Sequence, residues 1–370
     1  MKTITALFFA FLMEIYAGAD TPKTLEIGAK APDFKLPATD NKTYTLASFS
    51  KAKILVVVFT CNHCPTAQAY EDKLIALARD YKDKGVQVVA ISPNDPTAVR
   101  LDELGYTDLS DSFEEMKIRA KHKNFNFPYL YDGDTQATSR AYGAVATPHV
   151  FVFDQARTLQ YVGRFDDTEK PTATPKNRNT IDAIEALLTG KPVAVPQTKC
   201  FGCSVKWKDK SDWVERAKAE WAKEEVTLQS LDEAGVRQLL QNDSDKLRVI
   251  NVWATWCGPC VVEFPEFITM HRMYRNRDFE FVSISTDKPT QRDKALKFLK
   301  SKQASNTNYI LDGLDIYKFI EILDPKWQGA LPYTLIVEPK GKIVYSKQGP
   351  IDALELRRKI VEHPTIGRYY

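Results

Sequence analysis

The stretch Leu247–Cys260 reads LRVINVWATWCGPC and carries the strongest pattern in the chain. It begins as an apolar run typical of a buried strand and ends in a Cys-x-x-Cys motif, and a helical pattern follows from Val261 to Tyr274. Two residues between cysteines let one turn at a helix start hold both sulfurs within disulfide reach, which suits thiol–disulfide exchange. The stretch therefore predicts a redox-active pair, Cys257 and Cys260, between a strand and a helix.

The same order of elements occurs earlier in the chain. The apolar run Ile54–Thr60 ends at Cys61-Asn-His-Cys64, and a helical pattern again follows. Each helix leads to another apolar strand, and a proline precedes a later strand in both halves, Pro148 in the first and Pro332 in the second. Strands that alternate with helices predict parallel βαβ units. We expect an α/β protein with two similar domains, each a mixed β-sheet flanked by helices.

Cys200 and Cys203 form a third Cys-x-x-Cys motif, in a segment that we interpret as a connector, residues 191–226. No apolar run precedes this motif. Further along, Trp213, Ala217 and Trp221 recur at every fourth position, which predicts a helix that docks one apolar face onto a domain. The pair Cys200–Cys203 is either an electron relay between the two domains or a structural disulfide.

The composition narrows the range of partners. The chain has 370 residues, of which 44% are hydrophobic, so it has material for two globular domains. Its 51 basic and 48 acidic residues nearly balance, at a net charge of +3. We therefore expect no nucleic-acid partner.

The first residues predict export. Lys2 precedes the apolar run Ile4–Met13, and the small residues Ala17-Gly18-Ala19 form a cleavage site. This is the pattern of a signal peptide, residues 1–19. The sequence contains no later apolar run of about 18 residues, so we expect a protein that is soluble in the periplasm after cleavage. In such an oxidising compartment, paired cysteines form disulfides unless they are reduced.

Residues 227–370 resemble the TlpA/ResA type of exported thiol–disulfide oxidoreductase in the thioredoxin superfamily. The match is carried by Val249–Pro265, VINVWATWCGPCVVEFP, and by Pro332 at the position of a cis-proline. The resemblance implies disulfide-containing protein substrates and a membrane thiol reductant of the DsbD/CcdA kind.

The resemblance and the strand–motif–helix order together assign roles to the residues of the second site. Cys257, with Trp256 before it, would attack a substrate disulfide as a thiolate, and Cys260 would resolve the mixed disulfide. Pro332 would present backbone to a bound substrate strand. Glu263 would relay a proton to or from the resolving thiol. We expect no cofactor beyond the redox-active disulfides themselves.

Residues 24–190 resemble the AhpC/TSA-like redoxin group that carries a Cys-Asn-His-Cys-Pro motif, which implies a second thioredoxin-like fold. The matching stretches are GAKAPDF from Gly28, CNHCPT from Cys61, ISPNDP from Ile91, RAYGA from Arg140 and GRFDD from Gly163. The tail Gly202–Trp207 also matches this group, so the resemblance covers Cys203, whereas Cys200 is an addition. By analogy with the second site, Cys61 and Cys64 are the catalytic pair and Pro148 is the supporting proline.

His63 distinguishes the first motif from the second. A protonated imidazole between the cysteines would stabilise a thiolate at Cys61, and a stabilised thiolate makes a disulfide easier to reduce. We therefore expect Cys61–Cys64 to be the more oxidising pair and Cys257–Cys260 the more reducing one. Electrons would then flow from the second domain to the first.

Two alternatives remain open. The chain could be a thiol peroxidase with a fused thioredoxin reductant, although peroxiredoxins place Thr three residues and Pro seven residues before the reactive cysteine. Neither cysteine of the first motif has these residues: Val58 and Ile54 precede Cys61, and Cys61 and Val57 precede Cys64. The chain could also carry Cu(I) at Cys61, His63 and Cys64. Our main expectation is no metal site.

Overall fold

The computed structural model describes residues 22–168 and 173–368. It confirms the α/β class, with two thioredoxin-like folds that each contain a mixed sheet flanked by helices. The predicted signal peptide, residues 1–19, lies outside the described residues. In the part of the chain that is described, no helix is long and apolar enough to cross a membrane.

The first domain has a five-stranded sheet in the order β5-β4-β3-β7-β8. All residues of the central strand β3 are buried, as its unbroken apolar sequence predicts. Strand β4 pairs with β3 in parallel and β7 pairs with it antiparallel. The strands are β1 (Lys35–Pro37), β2 (Thr43–Thr45), β3 (Ile54–Phe59), β4 (Val86–Ser92), β5 (Tyr129–Tyr131), β6 (Ala146–Thr147), β7 (His149–Phe153), β8 (Leu159–Gly163) and β9 (Cys203–Ser204). The helices are α1 (Pro65–Tyr81), α2 (Phe113–His122), α3 (Ala137–Tyr142) and α4 (Asn179–Leu188).

The second domain repeats this centre in a six-stranded sheet, ordered β10-β13-β12-β11-β14-β15. Strand β11 lies between parallel β12 and antiparallel β14, as β3 lies between β4 and β7. Each Cys-x-x-Cys motif of a domain therefore follows the central strand. The strands are β10 (Gln229–Leu231), β11 (Leu247–Trp253), β12 (Phe279–Ser285), β13 (Thr307–Leu311), β14 (Tyr333–Val337) and β15 (Ile343–Gln348). The helices, after α5 (Asp212–Trp221) between the domains, are α6 (Glu233–Gln241), α7 (Gly258–Tyr274), α8 (Arg292–Ser301), α9 (Ile316–Leu323) and α10 (Ala353–Val361).

The segment predicted as a connector has two different parts. Its first part packs into the first domain: Val205 and Trp207 are buried in that core, and β9 pairs with β6. Its second part contains α5, where the predicted apolar stripe is only partly correct. Trp221 is buried and stacks with the Arg272 guanidinium, but Trp213 is 60% exposed.

The two domains share an interface formed by a loop of the first domain. Val99 and Leu104 join the apolar core that surrounds α7 of the second domain. Next to them, the buried Asp108 accepts hydrogen bonds from Arg358 Nε and Arg368 NH2, each at 2.8 Å. Burial by itself would raise the pKa of Asp108, but the charges of Arg368 and Arg358 lower that pKa to about 2. The carboxylate is therefore ionised and holds the domains together through paired charges.

Candidate active sites: two Cys-x-x-Cys motifs

The second motif places its first cysteine at the start of a helix. Helix α7 begins at Gly258, so Cys257 is the N-cap residue, and the Cys260 backbone N–H donates to Cys257 Sγ at 3.3 Å. Free backbone N–H groups and the positive end of the helix dipole stabilise a thiolate at this position. Cys257 and Cys260 form a disulfide in the structure. The geometry therefore fits Cys257 as the attacking sulfur.

A loop anchored by Asp287 presents the residues before Cys257 to solvent. Asp287 accepts hydrogen bonds from Thr255 N at 2.9 Å and from Thr255 Oγ1 at 2.7 Å. The next residue, Trp256, has 65% of its surface exposed. It borders a cavity of about 570 Å³ whose apolar lining includes Leu311, Leu314, Trp327 and Leu331. The second site therefore has an exposed tryptophan and an apolar surface beside it, although Cys257 itself is only 6% exposed.

Glu263 lies within α7, one turn after Cys260, and is buried. Its Oε2 accepts the Ile351 backbone N–H at 2.9 Å, and its Oε1 accepts a hydrogen bond from Asn251 Nδ2 at 3.4 Å. Burial raises the pKa of Glu263 above its usual range, and the two hydrogen bonds only partly oppose this. A carboxyl with a raised pKa can exchange a proton nearer to neutral pH, as the predicted relay requires. Pro332 has the predicted cis peptide bond.

In the first motif the second cysteine, and not the first, lies at the start of the helix. Helix α1 begins at Pro65, so Cys64, the second cysteine, is the N-cap residue. Proline favours the first position of a helix because its missing N–H needs no partner there. Pro65 directly follows Cys64, whereas the proline of the second motif lies between its cysteines. The helix dipole therefore acts on Cys64 and not on Cys61.

His63 and Asp111 form a buried pair beside the first motif. His63 Nδ1 lies 2.5 Å from Asp111 Oδ2, and Asp111 Oδ1 accepts the backbone N–H groups of Asn62 at 2.8 Å and His63 at 3.1 Å. Burial by itself lowers the pKa of His63, but the charge of Asp111 and its hydrogen bond raise that pKa above the usual value. Asp111 therefore favours the protonated form of His63 and also holds the backbone of the Cys-x-x-Cys turn.

The pKa shifts of the two cysteines of the first motif have opposite directions. Burial raises the pKa of Cys61, and the hydrogen bond to Cys64 and the charge of Asp111 raise it further. Burial would also raise the pKa of Cys64, but hydrogen bonds from Cys203 and Cys61 and the charge of His63 together lower it well below the usual value. The charge of His63 and the start of α1 therefore both favour a thiolate at Cys64, and His63 Nδ1 also lies 3.6 Å from Cys61 Sγ.

The structure brings Cys203 to this site but not Cys200. Cys203 packs against the buried cluster of Cys61, Cys64 and Ala67. Its backbone N–H donates to Cys64 Sγ at 3.3 Å. Cys200 and Cys203 are not bonded to each other in the structure. The third motif is thus divided, with one sulfur at the first site and the other outside it.

Three ligand atoms of the first site, one each from Cys61, His63 and Asp111, lie within 4.8 Å of one another. This is the region where we considered Cu(I). However, Asp111 already accepts four hydrogen bonds, from two backbone N–H groups, from His63 Nδ1 and from Asn94 Nδ2. Since both carboxylate oxygens and Nδ1 have partners, hydrogen bonding explains the cluster without a metal.

Comparisons with known proteins agree with this architecture. The model of the AhpC/TSA family matches residues 27–162 and 222–346, which is more than half of the chain. The chain belongs to the AhpC/TSA family.

Among the curated relatives of this family member, the thiol-disulfide oxidoreductase ResA of Bacillus subtilis (strain 168) is 28% identical over 113 residues. This match covers 30% of the chain and 59% of that relative's length. Alkyl hydroperoxide reductase E of Mycobacterium bovis is 28% identical over 171 residues, covering 44% of the chain and 98% of the relative. A crystal structure of the hypothetical protein SMc02350 from Sinorhizobium meliloti 1021 is 34% identical, covers 50% of this chain and 97% of its own, and has a TM-score of 0.45. The chain therefore spans about three fifths of the length of this ResA relative.

The two sites of this AhpC/TSA family member lie at different ends of α7. Cys257 precedes the first turn, whereas in the last turn Tyr274 Oη donates to Thr107 O at 3.0 Å. The loop that contains Thr107 continues to Asp111, which holds the first motif. Helix α7 has 17 residues, so its ends are about 25 Å apart.

Sequence reasoning missed three residues of these sites: Asp111, Asp287 and the position of Cys203. Each aspartate fixes the loop beside one Cys-x-x-Cys motif. Asp111 lies 48 residues after His63, so nothing in the local sequence connects them. A signal for the helix start did exist: Pro65 predicts that α1 begins directly after Cys64.

Proposed function

We propose that the chain is an exported thiol–disulfide oxidoreductase that reduces or exchanges disulfides of protein substrates at Cys257–Cys260. The observation that carries this proposal is the disulfide at the start of α7, next to an exposed Trp256 and an apolar cavity. Protein substrates present side chains as well as a disulfide, and an apolar surface beside the sulfurs would bind them.

In the reduced protein, the Cys257 thiolate attacks one sulfur of the substrate disulfide. A mixed disulfide forms, and the other substrate sulfur leaves as a thiolate and takes up a proton. The Cys260 thiol then loses its proton, towards Glu263, and attacks Cys257 Sγ. The Cys257–Cys260 disulfide forms, the second substrate sulfur is released and protonated, and two electrons have passed to the substrate.

The full-length protein tests this role with insulin as substrate and dithiothreitol as reductant. We expect Cys257→Ser to lower the rate of insulin reduction at least about 10³-fold, since it removes the nucleophile. Cys200→Ser removes a thiol outside both domain sites and is the matched control, with a rate close to that of the wild type. A Cys257→Ser variant that keeps more than a tenth of the rate would contradict the proposal.

The proposal includes export to the periplasm and a membrane thiol reductant of the DsbD/CcdA kind, because an exported dithiol must be reduced again after each cycle. The N-terminal pattern of Lys2, Ile4–Met13 and Ala17–Ala19 supports export. Cell fractionation tests it: a mature protein that begins near Asp20 belongs in the periplasmic fraction. A full-length chain in the cytoplasm would contradict this part of the proposal.

An electron relay between the domains remains a prediction. Thiol–disulfide exchange requires the reacting sulfurs to touch, and the first site lies beside the loop that packs on the last turn of α7, the end away from Cys257. A direct relay would therefore need a domain movement or a separate carrier. Cys260→Ser would trap what reacts with Cys257: capture of Cys61 or Cys64 supports the relay, and capture of foreign proteins alone contradicts it.

The thiol peroxidase alternative receives less support than disulfide exchange. The first domain lacks the Thr and Pro of peroxiredoxins before either cysteine. Moreover, the Cys61 and Cys64 sulfurs are buried, and Thr147 and Cys203 lie against them. Peroxide would have little access to either sulfur in this conformation.

A further inference from the structure

The first site is covered by a strand of its own chain. Strand β9 pairs antiparallel with β6, so that Cys203 stands opposite Thr147, the residue before Pro148. In the second domain the corresponding residue, Leu331, precedes Pro332 and lines the open cavity beside Trp256. Strand β9 thus occupies, at the first site, the place that is free for a substrate at the second.

Gly202 makes this close approach possible. Its φ of +134° lies in the region that side chains disfavour, and a Cβ atom there would stand 2.0 Å from Thr147 O. Strand β9 could not pair so closely with Thr147 if residue 202 carried a side chain. Glycine at position 202 therefore allows β9 to run directly against the backbone of Thr147, beside the sulfurs of Cys61 and Cys64.

The approach directs Cys203 towards Cys64 in particular. Cys64 Sγ lies 3.3 Å from the Cys203 backbone nitrogen, and Cys203 packs against the buried cluster that contains Cys64. The Cys203 sulfur is three bonds from its own backbone nitrogen, so it lies in the neighbourhood of Cys64 Sγ. Cys61 Sγ has other neighbours, Thr147 Oγ1 at 3.2 Å and His63 Nδ1 at 3.6 Å.

The remaining sulfur of the third motif has different neighbours. Cys200 is half-buried, near the Tyr161 hydroxyl, and burial raises the pKa of its thiol. Only two residues separate it from Cys203, however, so a disulfide between them needs only a local change of the backbone.

We propose that β9 is an internal substrate of the first site, and that Cys64 exchanges disulfides with Cys203. The Cys64 thiolate attacks Cys203 Sγ of a Cys200–Cys203 disulfide, so that the Cys64–Cys203 bond forms. Cys200 leaves as a thiolate and takes up a proton. The Cys61 thiol then loses its proton and attacks Cys64 Sγ, which forms Cys61–Cys64 and releases Cys203 to be protonated.

The net reaction moves one disulfide from Cys200–Cys203 to Cys61–Cys64 and needs no other oxidant or reductant. The proposal rests on the proposed function, since it assumes that Cys-x-x-Cys pairs of this chain exchange disulfides. It extends that function by naming the substrate of the first site. That substrate is a segment of the same chain.

The test uses full-length Cys61→Ser, which lacks the resolving thiol, incubated with oxidised glutathione and mapped by mass spectrometry without reduction. We expect the Cys64–Cys203 linkage to exceed all other linkages of Cys64 by at least about tenfold. The matched pair of double variants adds either Cys200→Ser, which should keep this linkage, or Cys203→Ser, which should replace it by glutathione on Cys64. Linkage of Cys64 to Cys200, or to glutathione in the Cys61→Ser variant, would overturn the proposal.

Two further measurements make the result unambiguous. Wild-type protein under limiting oxidation should also contain the Cys64–Cys203 linkage, so the test does not depend on the folding of a variant. Insulin reduction by the wild type is measured in parallel. If insulin is reduced but no Cys64–Cys203 linkage forms, the internal substrate is wrong and the proposed function stands; if insulin is not reduced, the proposed function itself is wrong.

Discussion

The two Cys-x-x-Cys sites follow equivalent strands but differ in which cysteine caps the helix and in what covers it. In the second site Cys257 is the N-cap residue, and Trp256 beside it is exposed. In the first site Cys64 is the N-cap residue, and it is buried under Cys203. The position of Pro65 after Cys64 determines which cysteine caps the helix of the first site. The two-residue strand β9 determines that this site is covered. Equal spacing of cysteines therefore does not imply equal chemistry.

The largest effect that we expect is on the free energy of unfolding, when Asp111 or Asp287, the aspartates that anchor the loops beside the two motifs, is replaced. Asp111→Asn removes the carboxylate partner of the buried His63 and should lower the free energy of unfolding by about 3 kcal/mol. Asp287→Asn loses only hydrogen bonds to neutral groups and should cost about 1 kcal/mol. Urea unfolding of the full-length variants measures both. Equal losses would show that the His63–Asp111 charge pair is not what distinguishes the first site.

The cover over the first site can be loosened at Gly202. In Gly202→Ala the new Cβ would collide with Thr147 O, and backbone strain of about 2 kcal/mol should displace β9. The alkylation of Cys64 by iodoacetamide should then become about 30-fold faster, as mass spectrometry would show. Gly190→Ala is the matched control, since Gly190 also has positive φ but open space around it. Unchanged alkylation in Gly202→Ala would mean that β9 does not limit access.

The open site should depend on its apolar neighbour. Trp256→Ala should raise KM for insulin about tenfold, because an exposed tryptophan beside a cavity is a typical anchor for a protein partner. The rate with a small disulfide such as cystine should change less than twofold, since such a substrate does not reach the cavity. A parallel loss with both substrates would assign Trp256 to the chemistry and not to binding.

The smallest effect is the pH dependence that the His63–Asp111 pair should give to the first site. Asp111 raises the pKa of His63 in the folded protein. The His63–Asp111 pair therefore contributes its full stabilisation of the fold at any pH below the pKa of His63 in the unfolded chain, about 6.5. This contribution is lost as the pH rises through the folded pKa. The difference in unfolding free energy between wild type and His63→Gln should therefore shrink from pH 6 to pH 9. A difference that stays constant would mean that His63 is neutral in the fold.

Much of the fold could be predicted from local patterns. The runs that became β3, β4, β11 and β12 are almost wholly apolar, and the helices α1 and α7 follow directly from the motifs at their starts. Both Cys-x-x-Cys positions were read in the same way, whereas the cis-proline positions came from the family resemblance and from the parallel between the two halves. These features depend on residues that are close together in the sequence.

The rest depends on contacts between distant residues or on very short elements. Strand β9 has two residues, too few for any periodicity, and its partner Thr147 lies 56 positions before Cys203. The opposite pKa shifts of Cys61 and Cys64 involve Asp111 at the first and Cys203 at the second, and no local pattern connects either residue to the motif. The exposure of Trp213 was also unpredictable, because a stripe at helical spacing does not show which of its members meets a neighbour.

Val99 and Leu104 of the first domain are buried in the core of the second, and Asp108 binds Arg358 and Arg368 across the same boundary. The two domains therefore form one cooperative unit of unfolding, and calorimetry of the full chain should show one transition. A fragment that starts at Thr227 would expose the apolar face of α7 to water and would tend to aggregate. Duplication produced two similar domains, but this loop has made each of them dependent on the other.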